Sequence, residues 1–535
     1  MDQMRALAAQ AESIAQRIPG SAIVARYVRS SYQDDPFRSL LELILLAFAL
    51  RTLLQSRTRG NQSGSNFVKL SEREIDELVS EFNPEPLVAP LTALEKEELD
   101  SVPTISGGLS SKPKVLLPAR IGGSAKGAKE MLNLASYNFA GLAGSDVIRD
   151  AAVDTLREYG VGSCSPPGFY GTIDVHMTLE QDLARFLGVE SAIIYSQGFS
   201  TISSVIPCYL KRGDVIVADK GVNFAIQKGI QASRSFVRWY EHNSLSSLES
   251  VLADVTKHDK RRRGRLTRRF IITEGIFEGD GAAVDLKAIC DLKKKYKFRL
   301  ILDEGISFGT AGKSGKGMTE LCGVNPNEVD ILCGSMSNTL GAAGGFCAGA
   351  ATMTEHQRIN AASFVYSAAM PAMLAVAGST CMQYLQAHPD VLEQLRSNIA
   401  TIRSTLVPIE SIVIVSDAAS PLIHVQVRSQ ADPHPASPKG NASLSVPQEL
   451  VLGHDLTGLE QARLLQLIVD ESLRNGVLLT RHKTLPSINA KALESGAHAR
   501  PCIRIAVTAG LTQKEIEKSA GVIKNAVVKV LGKRR

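Results

Sequence analysis

No CxxC pair occurs in this sequence, and several of its eight cysteines (164, 208, 290, 322, 333, 347, 381 and 502) sit inside apolar runs such as Ile331-Leu-Cys333. That pattern argues against a zinc ribbon or a disulfide framework and favours buried free thiols in a reducing compartment. No two of the ten histidines stand at metal-ligand spacing, so a metal centre has no support. Net charge is also scarce. Sixty Lys and Arg against 54 Asp and Glu leave an excess of six over 535 residues, too dilute for a nucleic-acid partner. The one dense basic run, Lys260 to Arg269, reads as a solvated loop. What is present is ordinary globular material. Hydrophobic residues make up 44% and charged residues 21%, which excludes wholesale disorder and a polytopic membrane protein. The length suits roughly two to four structural units with a buried α/β core.

Residues 1–18 lack the continuous apolar stretch of a cleavable signal peptide. Instead Met4, Leu7, Ala8, Ala11, Ile14, Ala15 and Ile18 recur at three- and four-residue intervals, the stripe of an amphipathic helix that Pro19 and Gly20 end. The segment Ser39 to Gln55 is apolar on all faces apart from Glu42 and Arg51. As a helix it would measure about 25 Å against a bilayer core of about 30 Å. A single membrane span, an in-plane anchor and a partner-facing helix all fit. For a span, Arg57, Arg59 and Lys69 behind it and Asp34 and Asp35 before it favour a cytosolic main body, while Arg26, Arg29 and Arg38 pull the other way. Two capping boxes follow, Ser71 with Glu74 and Thr92 with Glu95. The first opens an amphipathic turn (Ile75, Leu78, Val79, Phe82) that Pro84 closes. Residues 101–129, rich in Gly, Ser and Lys, read as a linker.

From about residue 130, short β-branched runs at 191–196, 214–219, 269–275, 299–304 and 329–334 alternate with helical patterns such as 179–187 and 285–296. Such alternation predicts an α/β fold whose mostly parallel central sheet is covered on both faces, with ligands at the carboxyl ends of its strands. After about residue 372 come a long helix, strands at 411–416 and 422–427, a helix near 457–474, a strand at 502–508, and a last helix opened by the Thr512/Glu515 capping box. These elements suggest a smaller α+β domain, with 430–446 as a mobile loop. The expected division is 1–60, 61–129, 130–372 and 373–535. Two phosphate motifs fail on inspection. Ser307 to Ser314 begins with serine where a P-loop needs glycine, and Gly160 to Ser165 lacks the last glycine of a dinucleotide fingerprint.

Asp303 closes an apolar strand, where a buried acid needs a cationic partner. In α/β enzymes that use pyridoxal phosphate, an aspartate so placed pairs with the protonated pyridine nitrogen; a strand-end acid capping the next turn is the plainer alternative. Gly198-Phe199-Ser200, between a strand and a helix, could offer backbone N–H groups to a phosphate. Such a cofactor also needs a lysine just past the strand 329–334, and asparagine, Asn338, stands there. Lysine is absent from Gly317 to Pro438, so no shift of register supplies one. An amide cannot form the imine.

Glu81-Phe-Asn-Pro-Glu-Pro-Leu-Val88, Asn133-Leu-Ala-Ser-Tyr-Asn-Phe139, Tyr159 to Gly171, Phe224 to Arg234 and Gly341-Ala-Ala-Gly-Gly-Phe346 together resemble the first long-chain-base subunit of eukaryotic serine palmitoyltransferases, fungal-like in character. The likeness covers roughly residues 35 to 530. This family lies among the α-oxoamine synthases. The resemblance implies the aminotransferase type I fold with an N-terminal membrane helix. Catalytic members carry Asp-Glu-Ala-His, a ring-stacking histidine and the Schiff-base lysine. Here Asp303-Glu-Gly-Ile306, Asn223 and Asn338 stand at the matching positions, so only the aspartate is kept. The resemblance further implies a heterodimer whose second long-chain-base subunit holds pyridoxal phosphate covalently. The loop around Cys164, with Phe169, Tyr170, Gly171 and Thr172, would approach that partner's active site. Cys164 itself reads equally as a substrate-facing group or as a small buried thiol in a tight turn. Also implied are L-serine and palmitoyl-CoA at the shared site, a small activating subunit, Orm-family regulators, and attachment to the endoplasmic reticulum membrane with the main body cytosolic. An independently active cofactor enzyme and a non-enzymatic membrane scaffold are the alternatives.

Overall fold

The computed structural model describes residues 19–532 except 66–69, 83, 85–86, 89, 123–126, 262–266, 430–455 and 483–499. The helix expected over 1–18, the loop 430–446 and the middle of the basic run 260–269 therefore lie wholly or largely outside the described residues. The chain forms two compact units, 1–92 and 93–535.

In the first unit, α1 (Ser21–Asp34) is followed by α2 (Pro36–Ser65) and α3 (Glu72–Glu81). The Ser71/Glu74 capping box is formed, the Ser71 N–H donating to the Glu74 carboxylate at 2.8 Å. No helix among the described residues is long and apolar enough to cross a membrane. The expected span falls on α2, where Glu42, ion-paired to Arg38 at 3.1 Å, and Arg51 interrupt the apolar run. Leu41, Leu43, Ile44, Leu45, Leu46 and Leu50 of this helix are each more than half exposed.

The second unit is built on a seven-stranded sheet. Its strands are β1 (Ser191–Tyr195), β2 (Val215–Asp219), β3 (Phe236–Tyr240), β4 (Arg269–Glu274), β5 (Arg299–Asp303), β6 (Ile331–Ser335) and β7 (Gly345–Gly349). Their spatial order is β1-β7-β6-β5-β4-β2-β3, with β7 antiparallel to both neighbours and the remaining pairings parallel. The inner strands read as nearly unbroken apolar runs because helices bury both faces. β3 and β7 were not expected. β7 is hidden in a glycine-rich stretch whose small residues serve packing: Phe346 lies against Gly334 of β6, where an added Cβ would meet the ring at 2.4 Å.

Residues 101–129 hold more than a linker. Thr104–Ser106, Lys114–Leu116 and Lys129–Glu130 pair into a small antiparallel sheet, whose Val115 is fully buried against Met131 and Leu478. Towards the carboxyl terminus, β8 (Ile412–Ile414), β9 (Leu422–Val427), β10 (Thr480–His482) and β11 (Cys502–Ala506) form an antiparallel sheet ordered β8-β9-β11-β10. The helices Asp390–Leu406, Gly458–Arg474 and Gln513–Leu531 accompany it, the last opened by Thr512, whose N–H donates to Glu515 at 2.9 Å. One apolar cluster runs continuously from Leu134 to Leu531.

Candidate functional site

β2, β4 and β5 are neighbours, and each ends on an acid at its carboxyl edge: Asp219, Glu274 and Asp303. Beside the last two lies a cavity of about 380 Å³. Its floor includes Asp303, Glu274 and Cys333, and its walls include Phe199, Phe224 and Tyr137. Asn223, Ile306 and Asn338 also line it, so the four cofactor positions picked out from sequence come together.

Asp303 and Glu274 stand side by side in register on parallel strands, and both are buried. Asn223 bridges them. Its N–H donates to Glu274 Oε1 at 2.6 Å and its side-chain amide donates to Asp303 Oδ2 at 2.9 Å. The Asn223 Oδ1 atom accepts from the Ile226 N–H at 3.0 Å, which caps the helix Phe224–Ser233. The Gly305 N–H donates to the other Asp303 oxygen at 2.9 Å. Burial pushes Asp303 up to about 6 against the lowering pull of the Asn223 and Gly305 hydrogen bonds. Burial, together with the Asp303 charge, pushes Glu274 well above the carboxylate range. Glu278 completes the acidic wall; it accepts from Tyr137 Oη at 3.0 Å and lies 3.7 Å from Arg504. The strand-ending acid of Arg269-Phe-Ile-Ile-Thr-Glu274 was not singled out from sequence, although its signal is the same as that of Asp303.

Asn338 is tied down by hydrogen bonds on both ends of its carboxamide. Its side-chain amide donates to the Gly305 carbonyl at 2.7 Å, and its Oδ1 accepts from Ser337 Oγ at 3.2 Å. Ile306 is buried in the cavity wall. The Gly198–Tyr209 helix begins at the cavity with Gly198, against the Ser335 side chain.

The loop 160–173 is a separate feature. Cys164 adopts φ +56° and is exposed, so the buried-thiol reading is corrected. Pro167–Gly171 forms a single π-helical turn in which the Gly171 N–H donates to the Pro166 carbonyl at 3.1 Å. Thr172 Oγ1 donates to the Pro167 carbonyl at 2.8 Å. This turn holds Phe169 and Tyr170 out into solvent, 69% and 91% exposed. Gly171 is buried at the base, where a Cβ would come within 1.9 Å of the Ser165 carbonyl oxygen. All eight cysteines are free, and six of them are buried.

The sequence profile of the aminotransferase class I and II family matches residues 129–523. Long chain base biosynthesis protein 1b of Oryza sativa subsp. japonica is 36% identical over 86% of this chain and 86% of its own length. Serine palmitoyltransferase 1 of Saccharomyces cerevisiae is 30% identical over 96% of this chain and 92% of its own length, and that of Dictyostelium discoideum is 35% identical over 86% and 88%. The chain belongs to the serine palmitoyltransferase 1 family. Its fold matches that of Sphingomonas wittichii serine palmitoyltransferase, with a TM-score of 0.66 at 20% identity over 82% of this chain and 96% of that one. A structure described as SPT with PLP gives the same TM-score at 19% identity, over 86% and 99%.

Solved structures that share this fold contain pyridoxal phosphate. The strand-end acid Asp303 is present, but the Asn223 amide already occupies one of its oxygens. Among the described residues lining the cavity none is lysine, and Asn338 is bonded to backbone. A group that must be anchored through an imine does not fit these residues.

Proposed function

We propose that the chain is a required but non-catalytic subunit of serine palmitoyltransferase. In this reading a second long-chain-base subunit holds pyridoxal phosphate covalently. The assembled pair condenses L-serine with palmitoyl-CoA to 3-ketodihydrosphingosine, CO2 and CoA, the first step of sphingolipid synthesis. The single observation carrying the proposal is Asn338, a carboxamide hydrogen-bonded to the Gly305 carbonyl at the position of the imine-forming amine. The π-helical turn presenting Phe169 and Tyr170 supports a role at the partner's active site, with Cys164 and Thr172 in the same loop. A small activating subunit and Orm-type regulators complete the proposed complex. We also place the chain at the endoplasmic reticulum membrane with the main body cytosolic; the exposed apolar side chains of α2 support attachment to a membrane.

The test compares the chain alone with the co-expressed pair. After incubation with pyridoxal phosphate and borohydride reduction, mass spectrometry is expected to find a pyridoxyl adduct on the partner and on no lysine of this chain. Condensing activity is expected only from the pair. An adduct on this chain, or turnover by it alone, would establish an independent enzyme instead. A pair in which Tyr170→Ala and Cys164→Ala leave amino-acid and acyl-chain selectivity untouched would mark it as a scaffold.

A further inference from the structure

His176 is 4% exposed and lies under the loop 160–173, in the first turn of the helix Asp174–Leu187. Its ring is used at both ends. The Ile173 N–H donates to Nδ1 at 3.2 Å, and Nε2 lies 2.6 Å from the Met370 carbonyl oxygen. A carbonyl only accepts, so Nε2 carries the proton and Nδ1 is the bare acceptor; the contacts fix one neutral tautomer. Two more bonds join the same pair of segments. Ser163 Oγ donates to the Ala369 carbonyl at 2.8 Å, and the Ala369 N–H donates to the Ser165 carbonyl at 3.0 Å. The loop is thus stitched to residues 369–370 at its beginning by Ser163 and Ser165 and at its end by His176. Between these stitches stands the turn that holds out Phe169 and Tyr170. The segment 363–370 is itself fixed to the Gly198–Tyr209 helix, because Ser363 Oγ donates to the Ser200 carbonyl at 2.9 Å and the Ser363 N–H to Ser204 Oγ at 3.0 Å.

We infer that His176 is a positioning residue for the condensation reaction: it clamps the end of this loop to the Met370 carbonyl so that Phe169 and Tyr170 meet the partner's active site in one orientation. The inference rests on the proposed placement of that loop. Its physical basis is that a group held for reaction gains rate from fixed geometry, so loosening the holder lowers turnover more than it lowers substrate affinity. Leucine, of similar bulk, offers neither bond. Glutamine keeps a donor near Nε2, and asparagine keeps an acceptor near Nδ1.

The experiment uses the co-expressed complex with His176→Leu, His176→Asn, His176→Gln, Ser163→Ala and Tyr170→Ala. Steady-state kinetics are read together with amide hydrogen exchange over residues 163–173. His176→Leu should assemble normally, speed exchange at Gly171 and Ile173, and lower kcat about tenfold or more, with KM for L-serine changed less than about threefold. The asparagine and glutamine variants should fall between it and wild type. If His176→Leu does not assemble, the two amide variants and Ser163→Ala carry the same expectation with smaller losses. Unchanged exchange in every variant, or amide variants no better than leucine, overturns the clamp. If exchange loosens and Tyr170→Ala lowers kcat while the His176 variants do not, the positioning inference fails and the loop's placement stands. If exchange loosens and neither Tyr170→Ala nor the His176 variants alter the kinetics, the placement itself is wrong.

Discussion

At the scale of single residues, two amides line the cavity, Asn223 and Asn338, and each is used for structure. Asn223 bridges two buried carboxyl groups that would otherwise repel, donating to both. Both acids bind their protons more tightly folded than unfolded, since burial raises Asp303 from an ordinary 3.8 to about 6 and raises Glu274 well above its ordinary range. The sign follows. The folded state is favoured below the ordinary value, and that advantage is lost as pH climbs through about 6. Urea midpoints of the wild-type chain should therefore decline across that window, and Asp303→Asn should flatten the slope. An unaltered slope in the variant would show that Asp303 is not the titrating group. Asp303 was legible in the sequence because an acid closing an apolar strand has few explanations, and Asn338 because it falls one strand further on. Tyr137 and Glu278 were not, because their meeting joins residues 141 apart in the chain. The exposure of Cys164 depends on a left-handed backbone that composition does not announce.

Among the elements, the loop 160–173 and the loop after β4 make opposite demands. At Gly171 an added methyl group would collide with the backbone of Ser165 and Pro166, which no side-chain rotation relieves. Gly171→Ala should cost about 2 kcal/mol or more of stability if the turn persists, or should abolish the turn. Thermal unfolding of the complex, with hydrogen exchange over 163–173, distinguishes the two. The other loop is held by charge. His242 bonds Asp219 at 2.7 Å and Asp280 at 2.9 Å, and these bonds outweigh burial, which alone would lower it, to lift it to about 10. A raised imidazole contributes its stability in full below its ordinary 6.5 and loses it as pH rises through about 10. His242→Gln should destabilise by about 3 kcal/mol near neutrality, since Asp219 is left buried without its cation, and should remove the alkaline decline. Chemical denaturation at pH 7 and pH 10 checks both. Five strands of the main sheet were legible because they are buried and leave apolar runs: β2, β4, β5 and β6 inside the sheet, and β1 at an edge that is buried all the same. β3 escaped because its edge position alternates exposed Phe236 and Arg238 with half-buried Val237 and Trp239. β7 escaped because its glycines look like a loop until Phe346 is seen to need them.

For the molecule as a whole, the two units differ in what their apolar residues touch. Residues 93–535 close around one large apolar cluster and a small second one, whereas α2 in the first unit leaves Leu41, Leu43, Ile44, Leu45, Leu46 and Leu50 between 56% and 64% exposed. A patch of that kind in water is costly, at about 25 cal/mol per Å² of apolar surface, and marks a face that meets lipid or another protein. Glu42 and Arg51 lie near the ends of the run, where a charged head can reach an interface. Leu46 and Leu50, four residues apart, share one face of the helix between those charges. Full-length chain is expected to float with phospholipid vesicles of endoplasmic reticulum composition. The double variant Leu46→Glu with Leu50→Glu should remain in the aqueous fraction, because two carboxylates in hydrocarbon cost about 5 kcal/mol or more together. Its main thermal transition should be unchanged, since the second unit carries its own core. Continued flotation of the double variant would move the anchor to another part of the chain, and a lowered transition would mean that α2 serves the fold rather than the membrane.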